Sequence, residues 1–303
     1  MVRNGAYTLV PQVPDDAYVY DEAGESAVLK GVSESWARRA PFYVMRVPAD
    51  SPGGLPVASI APSGSLPAFS GARALFSDVP DLGDGAFDGC TSLACMSVPS
   101  ATTIGASAFY GCTALTSADL ASATDIGNSA FYGCTALATL NSPDVIRIDH
   151  NGFRSCSSLT AISLPDATTI QAYAFNYCTS LESVDIPAAV SISGFAFRGC
   201  TAIQEVTLGP LTGTLSADAF SAWTFYASDG VTVLQKTAAA LAGKTFRGTY
   251  AALIEVPEGE QSLSPEMLLK VADLTEAAEE ARKSLASPEE DEDYLPGGDP
   301  DEP

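Results

Sequence analysis

The segment Ala174-Phe175-Asn176-Tyr177-Cys178-Thr179-Ser180-Leu181-Glu182-Ser183-Val184-Asp185-Ile186-Pro187 decides the fold. Leu181, Val184 and Ile186 are spaced for a short strand with one face inward. Pro187 ends that strand, because proline has no N–H to give a ladder. The Ala-Phe pair ahead of Cys178 fits a single helical turn. In four sister segments glycine stands where Tyr177 stands here, at Gly89, Gly111, Gly133 and Gly199. Glycine supplies the positive φ that reverses the chain. Ser155 and Tyr177 replace it in two segments, so the turn there either differs or carries strain.

Outward from this segment, everything recurs at a step of 22. Cysteine falls at Cys90, Cys112, Cys134, Cys156, Cys178 and Cys200, and phenylalanine at Phe87, Phe109, Phe131, Phe153, Phe175 and Phe197. Leu82, Ile104, Ile126, Ile148, Ile170 and Ile192 form a third register, and Leu93, Leu115, Leu137, Leu159, Leu181 and Ile203 a fourth. Four registers without an insertion over about 120 residues mean a solenoid, whose coils bury each other's apolar edges.

The unit A-F-x-G-C-x-x-L-x-x-[VI]-x-[LI]-P-x-A-T-x-I-G resembles the BspA-type leucine-rich repeat of bacterial and protist surface proteins, over about residues 68–222. That resemblance implies a right-handed leucine-rich-repeat solenoid with a parallel β-sheet on one face and short helical turns opposite. It also implies a role in adhesion or protein recognition, with no catalytic residues to carry over. Residues 68–87 read as a shortened first repeat and 219–223 as a last one, with Trp223 in the cysteine register.

The registers have their own readings. Ala118 and Ser142 sit where other repeats place Val184 or Ile186, so the second and third repeats are the weakest. The six aligned thiols suit stacked small apolar groups better than disulfides or a metal site, since there is no C-x-x-C and the one histidine, His150, is placed at the surface. Cys95, on an outward strand position, is either a tolerated residue or a reactive thiol, with the former favoured. A hydroxyl follows every register cysteine, where it can bond turn backbone groups. Outward strand positions pair Cys95 with Ser97, Ser117 with Asp119, Thr139 with Asn141, Ala161 with Ser163, Ser183 with Asp185 and Glu205 with Thr207. None is aromatic or basic, which makes this face a poor generic binding patch. Its candidate partner contacts are Asp119, Asn141, Asp185 and Glu205. Tyr110, Tyr132, Tyr173, Tyr177 and Phe195 gather at the turn edge. They are read there as stacking on one another, with an aromatic recognition edge as the alternative.

The flanks lack the repeat. In residues 1–67, Tyr18 to Tyr20 and Phe42 to Val47 read as strands, Ser33 to Arg39 as a short helix and Pro48 to Pro67 as a loop. The segment is taken as an end cap, with a separate ligand-binding domain as the alternative. Residues 223–259 contain strand-like Val231–Leu234 and Tyr250–Val256 and close the other end. Ser264-Pro265-Glu266 then caps a helix over 260–286. Its seam is Met267, Val271, Leu274, Ala278, Ala281 and Leu285, spaced 4-3-4-3-4. Docking on the solenoid and self-association through 267–285 both use this stripe; docking is favoured and self-association is expected to be weak. Residues 287–303 read as a disordered acidic tail.

Charge excludes further classes. Fifteen Lys and Arg against 37 Asp and Glu give −22, a field that repels phosphate backbones, so nucleic acid is not an expected partner. More than half of the excess lies in residues 255–303, which hold 16 acids and 3 bases. No apolar stretch reaches transmembrane length, and residues 1–16 lack the apolar core of a signal peptide. Walker loops, G-x-S-x-G and H-E-x-x-H are absent, so neither catalysis nor a cofactor or metal is expected. The expected function is a non-enzymatic recognition or adhesion scaffold for a protein or cell-surface partner. The alternative is a structural component of a phage or cell-surface appendage joined through the C-terminal helix, mildly favoured by the missing leader.

Overall fold

The computed structural model describes residues 12–23, 25–37, 43–60, 69–221, 223–228, 232–249, 252–257, 263–264, 267–268 and 270–271. Six coils of 22 residues, taken here from Asp84, stack as a parallel solenoid. Each coil contributes two strands. The longer ones, such as Ser117–Asp119 and Ser183–Ile186, pair in register 22 residues apart and build a broad face. The shorter ones, Thr103–Ile104, Asp125–Ile126, Arg147–Ile148, Thr169–Ile170 and Ser191–Ile192, form a narrow face.

The narrow face is a second parallel sheet, where helical turns opposite one sheet are expected. Its cause is the isoleucine register before the corner: a β-branched isoleucine follows Thr103, Asp125, Arg147, Thr169 or Ser191, and alternation puts the isoleucine in the core and its neighbour outside. The helical turn itself is absent: the described residues of the coils hold no helix. The chain takes left-handed φ twice per coil, four residues apart, for example at Ser107 (54°) and Gly111 (66°), which stops a helix from propagating. Tyr110 N–H bonds back to Ser107, while Phe109 and Gly111 donate to the next coil, to Ala130 and Tyr132. Turn and inter-coil bonds thus alternate along the edge. Ser155 (62°) and Tyr177 (58°) keep the left-handed geometry of the glycines they replace, so these turns carry strain rather than a different shape.

All four registers are sealed in one core. Phe69, Phe87, Phe109, Phe131, Phe153, Phe175, Phe197 and Phe220 form one column with ring centroids 4.8–5.4 Å apart. The six register thiols are free and buried. From the second coil on, each Sγ–H donates to the phenylalanine carbonyl of the preceding coil, as Cys112 does to Phe87 at 3.2 Å and Cys134 to Phe109 at 3.1 Å. The same carbonyl accepts the Cys90 N–H in its own turn. Cysteine therefore combines an apolar body with one weak donor where a second lone pair is buried. The hydroxyls that follow the cysteines do less than expected: Ser157 and Thr201 bond carbonyls of the preceding coil, at 3.3 and 3.4 Å.

The ladders run past the repeat at both ends. Val57–Ile60, within a segment read as loop, pairs in parallel with Asp81–Leu82, and Ile60 stands 22 residues before Leu82. Ser26–Val32 pairs with Val57–Ile60, and Tyr18–Ala23 closes this edge antiparallel. The short helix is Glu34–Ala37. On the broad face Tyr43–Arg46 and Ala72–Phe76 precede Cys95–Ser97. Within the sixth coil, after Leu208, the step lengthens by one residue, so that Ile192 bridges Leu215 and Phe220 stacks on Phe197. Thr245–Thr249 then pairs antiparallel with Glu205–Leu208, followed by Ala252–Glu255.

The broad face is interrupted once. Thr139–Asn141 pairs only with Ser117–Asp119, and Ala161–Ser163 only with Ser183–Ile186. Leu120 N–H donates to Asn141 and Leu164 N–H to Asp185, but the equivalent bond from Ser142 N–H is missing, as is that from Thr160 N–H. The narrow face continues unbroken beside the gap. Ser142 is the cause nearest to hand, since it is buried where Leu120 and Leu164 fill the core.

Candidate recognition surfaces

On the broad face the outward side chains bond each other along the solenoid axis. Identical positions of neighbouring coils lie one strand spacing apart, about 4.8 Å, which suits direct hydrogen bonds. The Asp119 carboxylate accepts from Ser97 Oγ at 2.8 Å and from Asn141 Nδ2 at 2.7 Å. Asp185 accepts from Ser163 Oγ at 3.2 Å. Glu205 is held by Arg247 at 2.9 Å, which ties it to the C-terminal closing strand. The four candidate residues on this face thus fall into separate groups on either side of the gap, and none extends the other's network. Thr139, Asn141, Ala161 and Ser163, which flank the gap, are exposed, whereas their counterparts in the neighbouring coils are half-buried.

The turn edge is organised differently. Tyr110 and Tyr132 stack at 5.0 Å with their planes 14° apart, and Tyr173 stacks on Phe195 at 5.3 Å. Arg154 joins the two pairs, its guanidinium 5.3 Å from the Tyr132 ring and 5.6 Å from that of Tyr173. Arg198 covers Phe195 at 5.6 Å. The result is one column from the second coil to the sixth, alternating rings and cations. Arg154 and Arg198 were not singled out by sequence, although both occupy the Tyr110 and Tyr132 register. Tyr173 and Phe195 hold φ of 60° and 58°, strained for bulky residues. Tyr177 stands outside the column, with its ring against the backbone of Gly199.

Electrostatics sharpen the contrast between surfaces. On the narrow face Arg147 is bonded to Asp125 at 3.0 Å, and that bond raises the arginine pKa. Burial lifts the thiol pKa of Cys90, Cys156 and Cys200 and pushes that of Cys178 up to about 12. Cys112 is raised by the adjacent Cys134 thiol and by burial. These thiols are protonated, inert core groups. A cavity of about 450 Å³ lies beyond the last coil among Trp223, Phe225, Leu234 and Lys236, whose ammonium donates to the Phe220 and Ser221 carbonyls. Among the described residues no cluster of His, Cys, Asp or Glu is arranged to hold a metal ion, and no helix is long and apolar enough to cross a membrane.

The helix seam begins in this region. Ser264 Oγ accepts the Met267 N–H at 3.3 Å, the bond of an N-cap. Met267 and Val271 pack with Leu263 on Ile254. The remaining seam positions, Leu274, Ala278, Ala281 and Leu285, and the acidic segment 287–303 lie outside the described residues.

Comparison with known proteins follows the same lines. The family model for the BspA type leucine rich repeat region matches in six copies, across residues 74–167, 124–239 and 168–268. No curated protein matches the chain. Among solved structures, a leucine-rich repeat protein from Bacteroides ovatus is 24% identical, with a TM-score of 0.48, over 65% of this chain and 46% of that one. A leucine rich cell surface protein from Faecalibacterium prausnitzii is 20% identical, with a TM-score of 0.49, over 79% of this chain and 60% of that one. The pneumococcal vaccine antigen PcpA is 14% identical, with a TM-score of 0.35, over 64% of this chain and 68% of that one. The chain spans about half the length of the first two.

Proposed function

The chain belongs to the BspA-type leucine-rich repeat family, and from that premise we propose that it is a non-catalytic scaffold that binds a protein partner at a cell surface. Leucine-rich repeat solenoids are typically non-catalytic and mediate protein interactions. The observation that carries the reading is the division between core and surface. The six register thiols, the repeat's most reactive groups, are sealed inside, while the outside repeats hydroxyls, carboxylates and rings at the spacing of one coil. A rigid periodic surface of this kind binds extended or repetitive partners with little ordering cost.

The same observations weigh against assembly through the C-terminal helix, because Met267 and Val271 already have a local partner in Ile254. The test is direct binding. Immobilised full chain is presented with purified extracellular-matrix proteins and with intact cells. Saturable binding that disappears when the solenoid is melted supports the scaffold. Absence of saturable binding to every matrix protein and cell type refutes the cell-surface reading.

A further inference from the structure

The turn edge departs from the composition of the whole molecule. In coils two to six it comprises residues 106–111, 128–133, 150–155, 172–177 and 194–199, which contain two arginines, one histidine and no Asp or Glu. The chain as a whole carries −22. Acids reappear just outside this stretch, as Asp84 and Asp88 before it, Asp218 after it and Asp149 beside His150. An acid-free stripe bounded by acids is therefore superimposed on the ring and cation column.

We propose that this edge docks an acidic, extended polypeptide segment; the proposal rests on the reading of the chain as a protein-recognition scaffold. Within the column the ring faces are covered by their neighbours, which leaves little for a ligand that stacks, such as a sugar. What remains at the rim is the electropositive side of each aromatic quadrupole and the guanidinium of exposed Arg198, while half-buried Arg154, whose Nη1 donates to Asn151 Oδ1 at 3.2 Å, contributes its charge. Each of these favours a carboxylate. Tyr110 is 36% exposed and Arg198 is exposed, so the stripe reaches solvent at both ends. Arg154 and Arg198 are two coils apart, about 10 Å along the axis, which matches carboxylates three residues apart on an extended chain. At 0.15 M salt the screening length is about 8 Å, so carboxylates on the other faces weaken this local preference only slightly. The left-handed Tyr173 and Phe195 add to the case, because bulky rings are held here where Gly85 serves in the first coil.

The experiment measures fluorescence anisotropy of labelled (Glu-Gly-Gly)4, (Gln-Gly-Gly)4 and (Lys-Gly-Gly)4 with the full chain at 150 mM salt. The glutamate peptide should bind at least tenfold tighter than the glutamine one. Arg154→Gln with Arg198→Gln should remove at least tenfold of that affinity, and Asn141→Ala with Asp185→Asn on the broad face should not change it. The single variant Arg198→Gln, which leaves the Arg154 clamp in place, should cost at least threefold with an unchanged melting curve and serves if the double variant unfolds. Equal affinity for the glutamate and glutamine peptides, or unchanged affinity in a folded arginine variant, overturns the proposal. Binding of the lysine peptide through the broad-face carboxylates overturns the docking site while leaving the scaffold reading intact. If none of the peptides binds, the docking site also falls, and the scaffold reading then rests on its own matrix and cell assay.

Discussion

Replacing Ser142 by leucine should close the interruption in the broad face. Ser142 is 4% exposed, and Leu120, Leu164, Ile186 and Leu208 at its register are 0–2% exposed. The turn is loose here: Val145 N–H reaches the Ser142 carbonyl at 3.5 Å, against 3.1 Å for Ala123 to Leu120 and 3.2 Å for Ala167 to Leu164. Burying a leucine side chain is worth about 1.5–3 kcal/mol. Restoring the two missing ladder bonds adds about 0.5–1.5 kcal/mol each. Against this stands the repacking needed to admit a larger side chain into a filled core, about 1–3 kcal/mol. At the midpoints of these ranges the net gain is about 2 kcal/mol, and for a chain of this size each kcal/mol raises the melting temperature by roughly 2–4 °C. Hydrogen exchange in the parent should be fastest, among the coil strands, at Thr139–Asn141 and Ala161–Ser163, and should slow at Ser142 and Thr160 in Ser142→Leu. A variant less stable than the parent, or uniform protection across the parent's broad face, would refute the argument.

The thiols should resist alkylation in the native chain, with half-buried Cys95 labelled first, and all should label after denaturation without reductant; labelling that requires reductant contradicts the buried-thiol account. The raised folded pKa values of Cys90, Cys112, Cys156, Cys178 and Cys200 mean that the unfolded chain loses those protons first. The thiol contribution is then complete below about pH 9 and declines as pH rises towards 12 at about 1.4 kcal/mol per unit per thiol, so Cys178→Ala should flatten an alkaline melting series. Gly111→Ala should cost about 1–2 kcal/mol for its left-handed φ alone, because a Cβ there meets nothing within 4 Å. Gly199→Ala should cost about 1–3 kcal/mol more, because its Cβ would lie 2.6 Å from the Tyr177 ring, and urea unfolding of the pair that ranks them the other way would be incompatible with the packing. Ending the chain at Gly259 strips Leu263, Met267 and Val271 from Ile254 and should lower stability by at least the worth of one buried side chain, about 1.5–3 kcal/mol, with both chains monomeric by light scattering; a dimeric full chain and monomeric truncation would make the helix an assembly element.

The solenoid was legible because its core positions recur without a slip, so any one repeat predicts the next. The second sheet was harder to see because its strands are two residues long, too short for alternation to register, although Thr103-Ile104 and Thr169-Ile170 have the required β-branching. Val57–Ile60 hid among prolines and glycines, yet Ile60 keeps the 22-residue step. Ser107 and Asn151 gave little sign of left-handed geometry, which is imposed by bonds to the neighbouring coil. At the surface, alternation correctly identified which strand residues face out. It did not reveal that Ser97, Asp119 and Asn141 satisfy one another, which follows only when coils are stacked at strand spacing. Arg154 was missed because a cation interrupts a tyrosine register, and its bridging role depends on Tyr173 from the next coil.

The closing strands at the two ends bear on how long this molecule can be. A parallel coil leaves an edge that fits another identical coil, so a bare stack has no intrinsic length. Tyr18–Ala23 ends the narrow face at one end, and Thr245–Thr249, itself covered by Ala252–Glu255, follows the broad face at the other; each runs opposite to the strand it pairs with, so the parallel ladder of that face stops there. Both lie outside residues 84–193, where the 22-residue step is uniform. Duplication or deletion of a whole unit inside that span leaves either terminus with its original neighbour, so gene-level changes in coil number translate into a longer or shorter rod without redesign of its ends.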